Sequence, residues 1–335
     1  MHGLLIVNPQ ATSTTGSGTD LVARSLAGLV DLTVTNTRYR GHARELAAAA
    51  DCDVVIVFGG DGAINEVVNG LMDRGGPLLD GPVLAAIPGG GGNVLARALG
   101  LPVDPAGAIA LLRDLLVSGS YRTIGLGLAG DRYFTFSAGL GFDAEVVHDV
   151  ESLRAKGRRE SQLLYVRTIV RRLYTGTDRR APALTLERDG QPPVDGLFMG
   201  IVTNSAPWTY FRGRPLLPRP NPDFSSGLDV LALSRLKMPT ILSAIGQMMC
   251  TLDRNRAPNG RHVMTAQGLD VVTIRCNRPM AFHVDGEYLG ETESVKFQFV
   301  PQALRVAAPR PLTESNDPTA RGRVRAGTEG GASKM

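Results

Sequence analysis

The segment Val54–Gly70, VVIVFGGDGAINEVVNG, constrains this chain more than any other. An apolar strand-type run meets Gly59-Gly60-Asp61-Gly62, and a helical pattern starts at once. Ile64, Val67, Val68 and Leu71 recur at i, i+3, i+4 and i+7, which makes one apolar helix face and points Asn65, Glu66 and Asn69 elsewhere. The glycines allow close backbone approach, and the helix start offers unpaired N–H groups at a positive dipole end. A phosphate fits there. The Asp61 carboxylate fits only if a Mg²⁺ ion or a substrate hydroxyl accompanies the phosphate. A plain turn capped by Asp61 would not need Asn65-Glu66.

Similar strand signals occur at Leu4–Val7 and Val83–Ile87, with helical patterns at Asp20–Val30, Gly41–Ala50, Ala63–Met72, Asn93–Leu99 and Pro105–Val117. This alternation predicts a doubly wound parallel sheet covered by helices over residues 1–120. From Tyr121 the pattern turns to short strands: Arg122–Leu128, Arg132–Ala138, Ala183–Arg188, Leu197–Val202, Leu228–Leu233, Val271–Arg275, Met280–Val284 and Val295–Val300. Two helical patterns, Ser161–Tyr174 and Thr240–Leu252, interrupt them. The fold class is therefore α/β plus β, the second part an antiparallel β-sandwich over residues 121–300. A segment at 301–311 returns to complete the first domain, and 312–335 is expected to be disordered. Two domains suit 335 residues with 43% hydrophobic and 20% charged composition.

No apolar run reaches the roughly 18–20 residues of a membrane span; Pro239–Leu252 is the best candidate and stops short. MHGLLIVNPQ lacks a secretory pattern, and Cys52, Cys250 and Cys276 make neither a disulfide framework nor a metal cluster. A cytoplasmic location is expected. The +4 net charge is concentrated: Glu151–Arg180 holds nine basic and three acidic residues, net +6. In Ser161–Tyr174, Leu163, Val166, Val170 and Leu173 form a stripe beside Arg167, Arg171 and Arg172. Such a helix either packs on the core with a solvated basic face or lies on an anionic membrane surface. Low aromatic content (5%) and the absence of a recognised module argue against nucleic acid. Gly125–Gly130, GLGLAG, satisfies G-x-G-x-x-G, but DRYFTF follows it like a strand, so a hairpin is expected in place of a dinucleotide site.

GGDGAINEVVNG resembles the signature of the diacylglycerol kinase catalytic domain family, which includes bacterial lipid kinases and sphingosine kinases. Asn8-Pro9, Ile87–Pro102 (IPGGGGNVLARALGLP), Ser137–Val147 (SAGLGFDAEVV) and Val284–Glu287 (VDGE) match further family segments in the same order. NAD kinases share the fold and the GGDG loop but not the later segments. The resemblance implies ATP and Mg²⁺ as cofactors. It places Asn8, Pro9, Thr12 and Thr37 over the nucleotide, and Gly59, Gly60, Asp61, Gly62, Ala63, Asn65, Gly91 and Asn93 around its phosphates. Asp61 is implied to position Mg²⁺–ATP or, in the sphingosine kinase branch, to act as base. Glu287 is the implied proton acceptor of the bacterial branch, although Asp285-Gly286 alone reads equally as a hairpin turn.

Three positions depart from the family pattern. Gly91 replaces a hydroxyl residue, Val94 replaces the Asp of an Asn-Asp pair, and Ser226 replaces an Asp at a structural Mg²⁺ turn. That turn maps onto Asp223, Ser226 and Leu228, with Asp223 or Asp143 as the carboxylates that could compensate. The expected activity is transfer of the γ-phosphoryl group of ATP to a membrane lipid hydroxyl, with diacylglycerol as the leading acceptor. Alternatives are a sphingoid base or another lipid, NAD, or nucleotide binding without catalysis. Expected partners are the lipid substrate and the inner face of an anionic membrane through 154–180, with a homodimer compatible with the family.

Overall fold

The structure is a computed structural model and describes residues 1–310 apart from 12, 78, 159–160, 205–206, 221–222 and 252–254. The expected disordered tail, 312–335, lies outside the described residues.

The first half alternates β1 (His2–Val7), α1 (Gly16–Leu26), β2 (Asp31–Asn36), α2 (His42–Ala48), β3 (Val54–Gly59), α3 (Asp61–Met72), β4 (Val83–Pro88), α4 (Val94–Ala98) and α5 (Pro105–Ser118). Strands β4, β3, β1 and β2 lie side by side and parallel. Every residue of β3 is buried. Val55 and Val57 pack with α2 and α3 on one face, whereas Val54, Ile56 and Phe58 pack with α1 and α5 on the other. A strand covered on both faces must be apolar throughout, hence the continuous run. Asp104 caps α5 by accepting from Gly107 N–H, with Pro105 at the first helical position.

The second half contains β5 (Tyr121–Ala129), β6 (Arg132–Phe134), β7 (Ser137–Gly141), α6 (Phe142–Ala155), α7 (Gln162–Thr175), β8 (Leu184–Arg188), β9 (Gln191–Leu197), β10 (Met199–Thr203), β11 (Thr209–Phe211), β12 (Arg214–Leu216), β13 (Leu228–Leu233), α8 (Met238–Met249), β14 (Val263–Leu269), β15 (Val271–Val284) and β16 (Glu287–Ala307). These strands pair antiparallel and form a sandwich-like region around Phe134, Leu186, Ile274 and Phe297. A second apolar layer joins α6, α7 and α8 to the sheet through Phe142, Val150, Leu173, Ile201, Leu231 and Ile241.

The long hairpin β15–β16 turns at Asp285-Gly286, both with positive φ (46° and 76°), as a two-residue loop of the I′ kind requires. Its strands absorb three of the short strands expected from sequence and the returning segment: a register shift between Arg275 and Met280 interrupts β15, and another between Val300 and Leu304 interrupts the β16 pairing with β5. Past that shift, β16 reaches the parallel sheet, where Val306 pairs with Leu84. The GLGLAG segment is a hairpin between β5 and β6, with Gly130 in the left-handed region at its turn.

Two features were not foreseen. Helix α6 sits where only a family motif had been noted; its apolar contacts, Phe142, Val146 and Val150, recur every four residues among acids and His148, which dilutes the pattern. In α7 the inward residues are Leu164, Tyr165, Ile169 and Leu173, while Leu163, Val166 and Val170 of the expected stripe face outward with Tyr174. No helix among the described residues is long and apolar enough to cross a membrane.

Candidate active site

Three loops leave the carboxyl ends of β1, β3 and β4 and meet there, the place where open α/β sheets bind ligands. The β3–α3 and β4–α4 loops touch backbone to backbone. A Cβ on Gly90 would fall 2.6 Å from Gly60 Cα, and one on Gly89 would fall 3.0 Å from Gly59 Cα. Gly89 N–H donates to Gly59 O at 2.7 Å, and Ser13 N–H of the β1–α1 loop donates to Gly89 O at 2.8 Å. Asn8 N–H donates to Phe58 O, and the Asn8 side chain accepts from Gln10 N–H, which shapes the Asn8-Pro9 turn beside Gly59. Thr37 N–H donates to Val7 O at the end of β2. Thr12 lies outside the described residues.

This cradle suits a phosphate chain. Gly62 has open space where a side chain would project, in the first turn of α3, and no side chain caps that helix. Ala63 is buried beneath the loop against Gly59. The buried Thr14 hydroxyl has no partner among the described residues and sits against Gly89, an unspent polar atom aimed at the glycine loops. Gly91 is exposed at the loop tip. Asn93 instead folds the loop: its amide accepts from Gly90 N–H at 2.9 Å and donates to Gly90 O at 2.7 Å, with Asn93 itself at φ 49°.

Asp61 opens α3 and accepts from Leu95 N–H at 3.3 Å, so the first turn of α4 packs on it. Arg97 of α4 stacks over Tyr210, 3.7 Å from the ring centre, and donates to Gly213 O. The β11–β12 hairpin of the second half is thereby pinned beside the first. Burial pushes the Tyr210 hydroxyl up, and the Asp61 charge adds to that shift.

One turn after Asp61, and on the same helix face, Asn65 reaches across to the other half. Its amide donates to Asp285 Oδ2 at 2.8 Å and to Tyr133 O at 2.9 Å, and accepts from Arg132 Nε at 2.9 Å. Asn69 exchanges two bonds with the Tyr133 backbone. Both asparagines therefore stitch α3 to β6, and Asn65 spends its polar atoms on protein partners. Glu66 caps α2 by accepting from Gly41 N–H and Ala43 N–H. Asp285 is buried and accepts from the N–H groups of Thr135, Phe136 and Ser137, from Thr135 Oγ1 and from Asn65. Burial pushes its carboxyl up, and these donors pull it back. Two residues on, Glu287 accepts from Arg132 Nη2 at 2.9 Å through one oxygen and from Arg40 Nε at 2.6 Å through the other. Arg132 thus bridges Asn65 and Glu287. Glu287 is thereby tied through Arg132 to Asn65, one turn along the helix that Asp61 begins.

Sequence reasoning passed over Thr14, Arg40, Arg97, Arg132, Tyr210 and the buried role of Asp285. Only the last carried a local signal, as a turn residue.

Asp223, Ser226 and Leu228 do not offer a divalent ion a donor set. Asp223 binds Ser225 through its N–H and hydroxyl, Ser226 Oγ accepts from Arg219, and Leu228 contributes a buried apolar side chain. Asp143 does not compensate, because His283 Nε2 holds it at 2.7 Å in a buried pair. Among the described residues no three His, Cys, Asp or Glu side chains form a metal-ligating group.

Residues 2–127 match the family model described as the diacylglycerol kinase catalytic domain. The chain is 28% identical over 280 residues to a diacylglycerol kinase of Bacillus subtilis, covering 82% of this chain and 84% of that one. It is 36% identical over 108 residues to a diacylglycerol kinase of Staphylococcus epidermidis, about a third of each chain (32% and 32%). A crystal structure of a diacylglycerol kinase from Bacillus anthracis superposes with a TM-score of 0.64 at 20% identity, covering 92% of this chain and 96% of that chain. A further solved chain from the same organism gives 0.70 at 22% identity with the same coverage. At these identities the structures speak for the fold.

Proposed function

We propose, from the match of residues 2–127 to the diacylglycerol kinase catalytic domain model, a lipid kinase that moves the γ-phosphoryl group of ATP to a lipid hydroxyl, with diacylglycerol as acceptor and phosphatidic acid as product. The observation that carries this reading is Arg132, which bonds Asn65 of the glycine-loop helix and Glu287 of the β15–β16 turn at once. It sets an acid from the β-rich half beside the helix that Asp61 begins.

In the proposed reaction the glycine loops and the first N–H groups of α3 hold the phosphate oxygens, with Thr14 donating its hydroxyl. A Mg²⁺ ion accompanying ATP would neutralise phosphate charge, and Asp61 is the carboxylate that would hold it. The lipid oxygen forms its bond to the γ-phosphorus as the bond to the β,γ-bridging oxygen breaks. ADP leaves, and the hydroxyl proton passes to Glu287. Each Glu287 oxygen accepts from one arginine, and release of one of them opens the carboxylate to the lipid hydroxyl. The Arg132 side chain is 18% exposed and that of Arg40 59%, which makes Arg40 the partner that swings away. Arg132 keeps the other oxygen and so holds the carboxylate aimed.

The proposed partner surface is an anionic bilayer met by α7. Leu163, Val166, Val170 and Tyr174 are exposed along one face, with Arg167 and Arg171 on the same helix. An amphipathic helix with apolar and cationic surface suits a bilayer interface.

The test mixes purified protein, labelled ATP and mixed vesicles containing diacylglycerol. Labelled phosphatidic acid is expected, with at least about a hundredfold loss for Asp61→Asn and for Glu287→Gln. Labelling of a different lipid from a total extract would replace diacylglycerol as the acceptor. Transfer to NAD without vesicles, or ATP binding with no transfer, would overturn the lipid kinase reading.

A further inference from the structure

The corner between β12 and β13 holds a buried carboxylate, Asp229, whose side chain is 4% exposed. Arg219, itself 16% exposed, enters the corner from the preceding loop. Its Nη1 donates to Asp229 Oδ1 at 3.2 Å and to Ser226 Oγ at 2.9 Å, and its Nε donates to Pro220 O at 3.3 Å. Gly268 N–H donates to the same Asp229 oxygen at 3.1 Å. Ser226 in turn donates its hydroxyl to Asp223 O at 3.1 Å. One guanidinium therefore closes the turn, pairs the carboxylate and satisfies the serine.

A carboxylate this deep needs either a cation or a full set of hydrogen-bond donors such as Asp285 has, and Asp229 accepts from one backbone N–H and one guanidinium. An acid at position 226 would put a second carboxylate beside Asp229, a double negative charge matched by a divalent ion. Serine leaves a single charge, matched by a single guanidinium. The cation present here reaches its oxygens at hydrogen-bond lengths of 2.9–3.2 Å, and a Mg²⁺ ion would need them near 2.1 Å with Arg219 expelled. We infer that Arg219 is a built-in structural cation, replacing the divalent ion that the related turn would hold, so that this half of the fold is independent of metal. This inference stands apart from the kinase reading.

The test is thermal melting of the nucleotide-free protein in EDTA and in millimolar MgCl2, together with its metal content as purified. For the wild type the two midpoints are expected to coincide and the protein to carry no stoichiometric Mg²⁺ or Ca²⁺. Arg219→Gln is expected to lower the midpoint by at least about 3 °C, with no recovery on adding Mg²⁺. Combining Arg219→Gln with Ser226→Asp removes the internal cation and supplies the second carboxylate, so its midpoint is expected to rise with MgCl2 and fall with EDTA. A wild-type midpoint that falls in EDTA and returns with Mg²⁺, or a stoichiometric divalent ion in the purified protein, overturns the inference. So does an Arg219→Gln midpoint equal to that of the wild type. Should the variants fail to fold, the wild-type melting comparison and metal content still decide.

Discussion

Asp285 accepts from three consecutive backbone N–H groups, a hydroxyl and an amide while 4% exposed. Asp285→Ala would leave those donors without their acceptor inside the protein, where each unsatisfied group costs on the order of 1–3 kcal/mol before relaxation. The expected loss is about 3–5 kcal/mol in urea unfolding, together with loss of transfer activity because Glu287 follows in the same turn. Asp229 gives a different signature. Burial raises its carboxyl to about 6, with Arg219 and Gly268 N–H pulling the other way. The native state therefore holds this proton over a window, roughly pH 4 to 6, in which the unfolded chain has released it. Stability should fall as pH rises through that window, by at most about 3 kcal/mol from this group, and level off above it. Comparing unfolding free energies of wild type and Asp229→Asn across the window checks this; the variant should lack that component of the slope.

At the scale of elements, α7 separates two readings of one sequence. Leu163, Val166 and Val170 make one apolar stripe and Leu164, Tyr165, Ile169 and Leu173 another, offset by about one residue. Helical periodicity accepts either as the inward face, and only the layer formed with α6 and the sheet selects the second. The first is left outside with Arg167 and Arg171. Replacing Leu163 and Val170 by Asp is expected to reduce sedimentation with phosphatidylglycerol vesicles by about tenfold or more, with little effect on the melting temperature. Unchanged vesicle binding would remove α7 as the contact. The strand β3 and helix α3 were legible because burial on both faces of the strand, and on one face of the helix, leaves a direct imprint on residue type. The hairpin turn at Asp285-Gly286 was legible through its positive φ requirement. The partners of the acids were not: Arg132 is 67 positions from Asn65 and 155 from Glu287, and nothing local distinguishes it from other surface-type arginines. Helix α6 was obscured because a strand with two glycines precedes it and its buried positions alternate with acids.

At the scale of the whole molecule, the two halves share hydrogen bonds at both levels of the site: Asn65 and Asn69 to β6, and Arg97 to the β11–β12 hairpin. They also share a strand. The far end of β16, some twenty residues after the turn that carries Glu287, pairs with β4 and β5. A fragment ending near residue 120 keeps all four parallel strands yet loses the neighbour of β4, whose six residues are all buried. Such a naked apolar edge invites pairing between chains. The fragment is expected to aggregate or elute as oligomers in size-exclusion chromatography, whereas full-length protein should unfold in one urea transition seen alike by fluorescence and circular dichroism. During synthesis the same wiring imposes an order of events: the glycine loops of the proposed phosphate cradle are translated first, but their sheet stays open on one side until Val306 has been delivered. A nascent chain cannot close the edge of β4 before Glu287, the proposed proton acceptor, has already emerged.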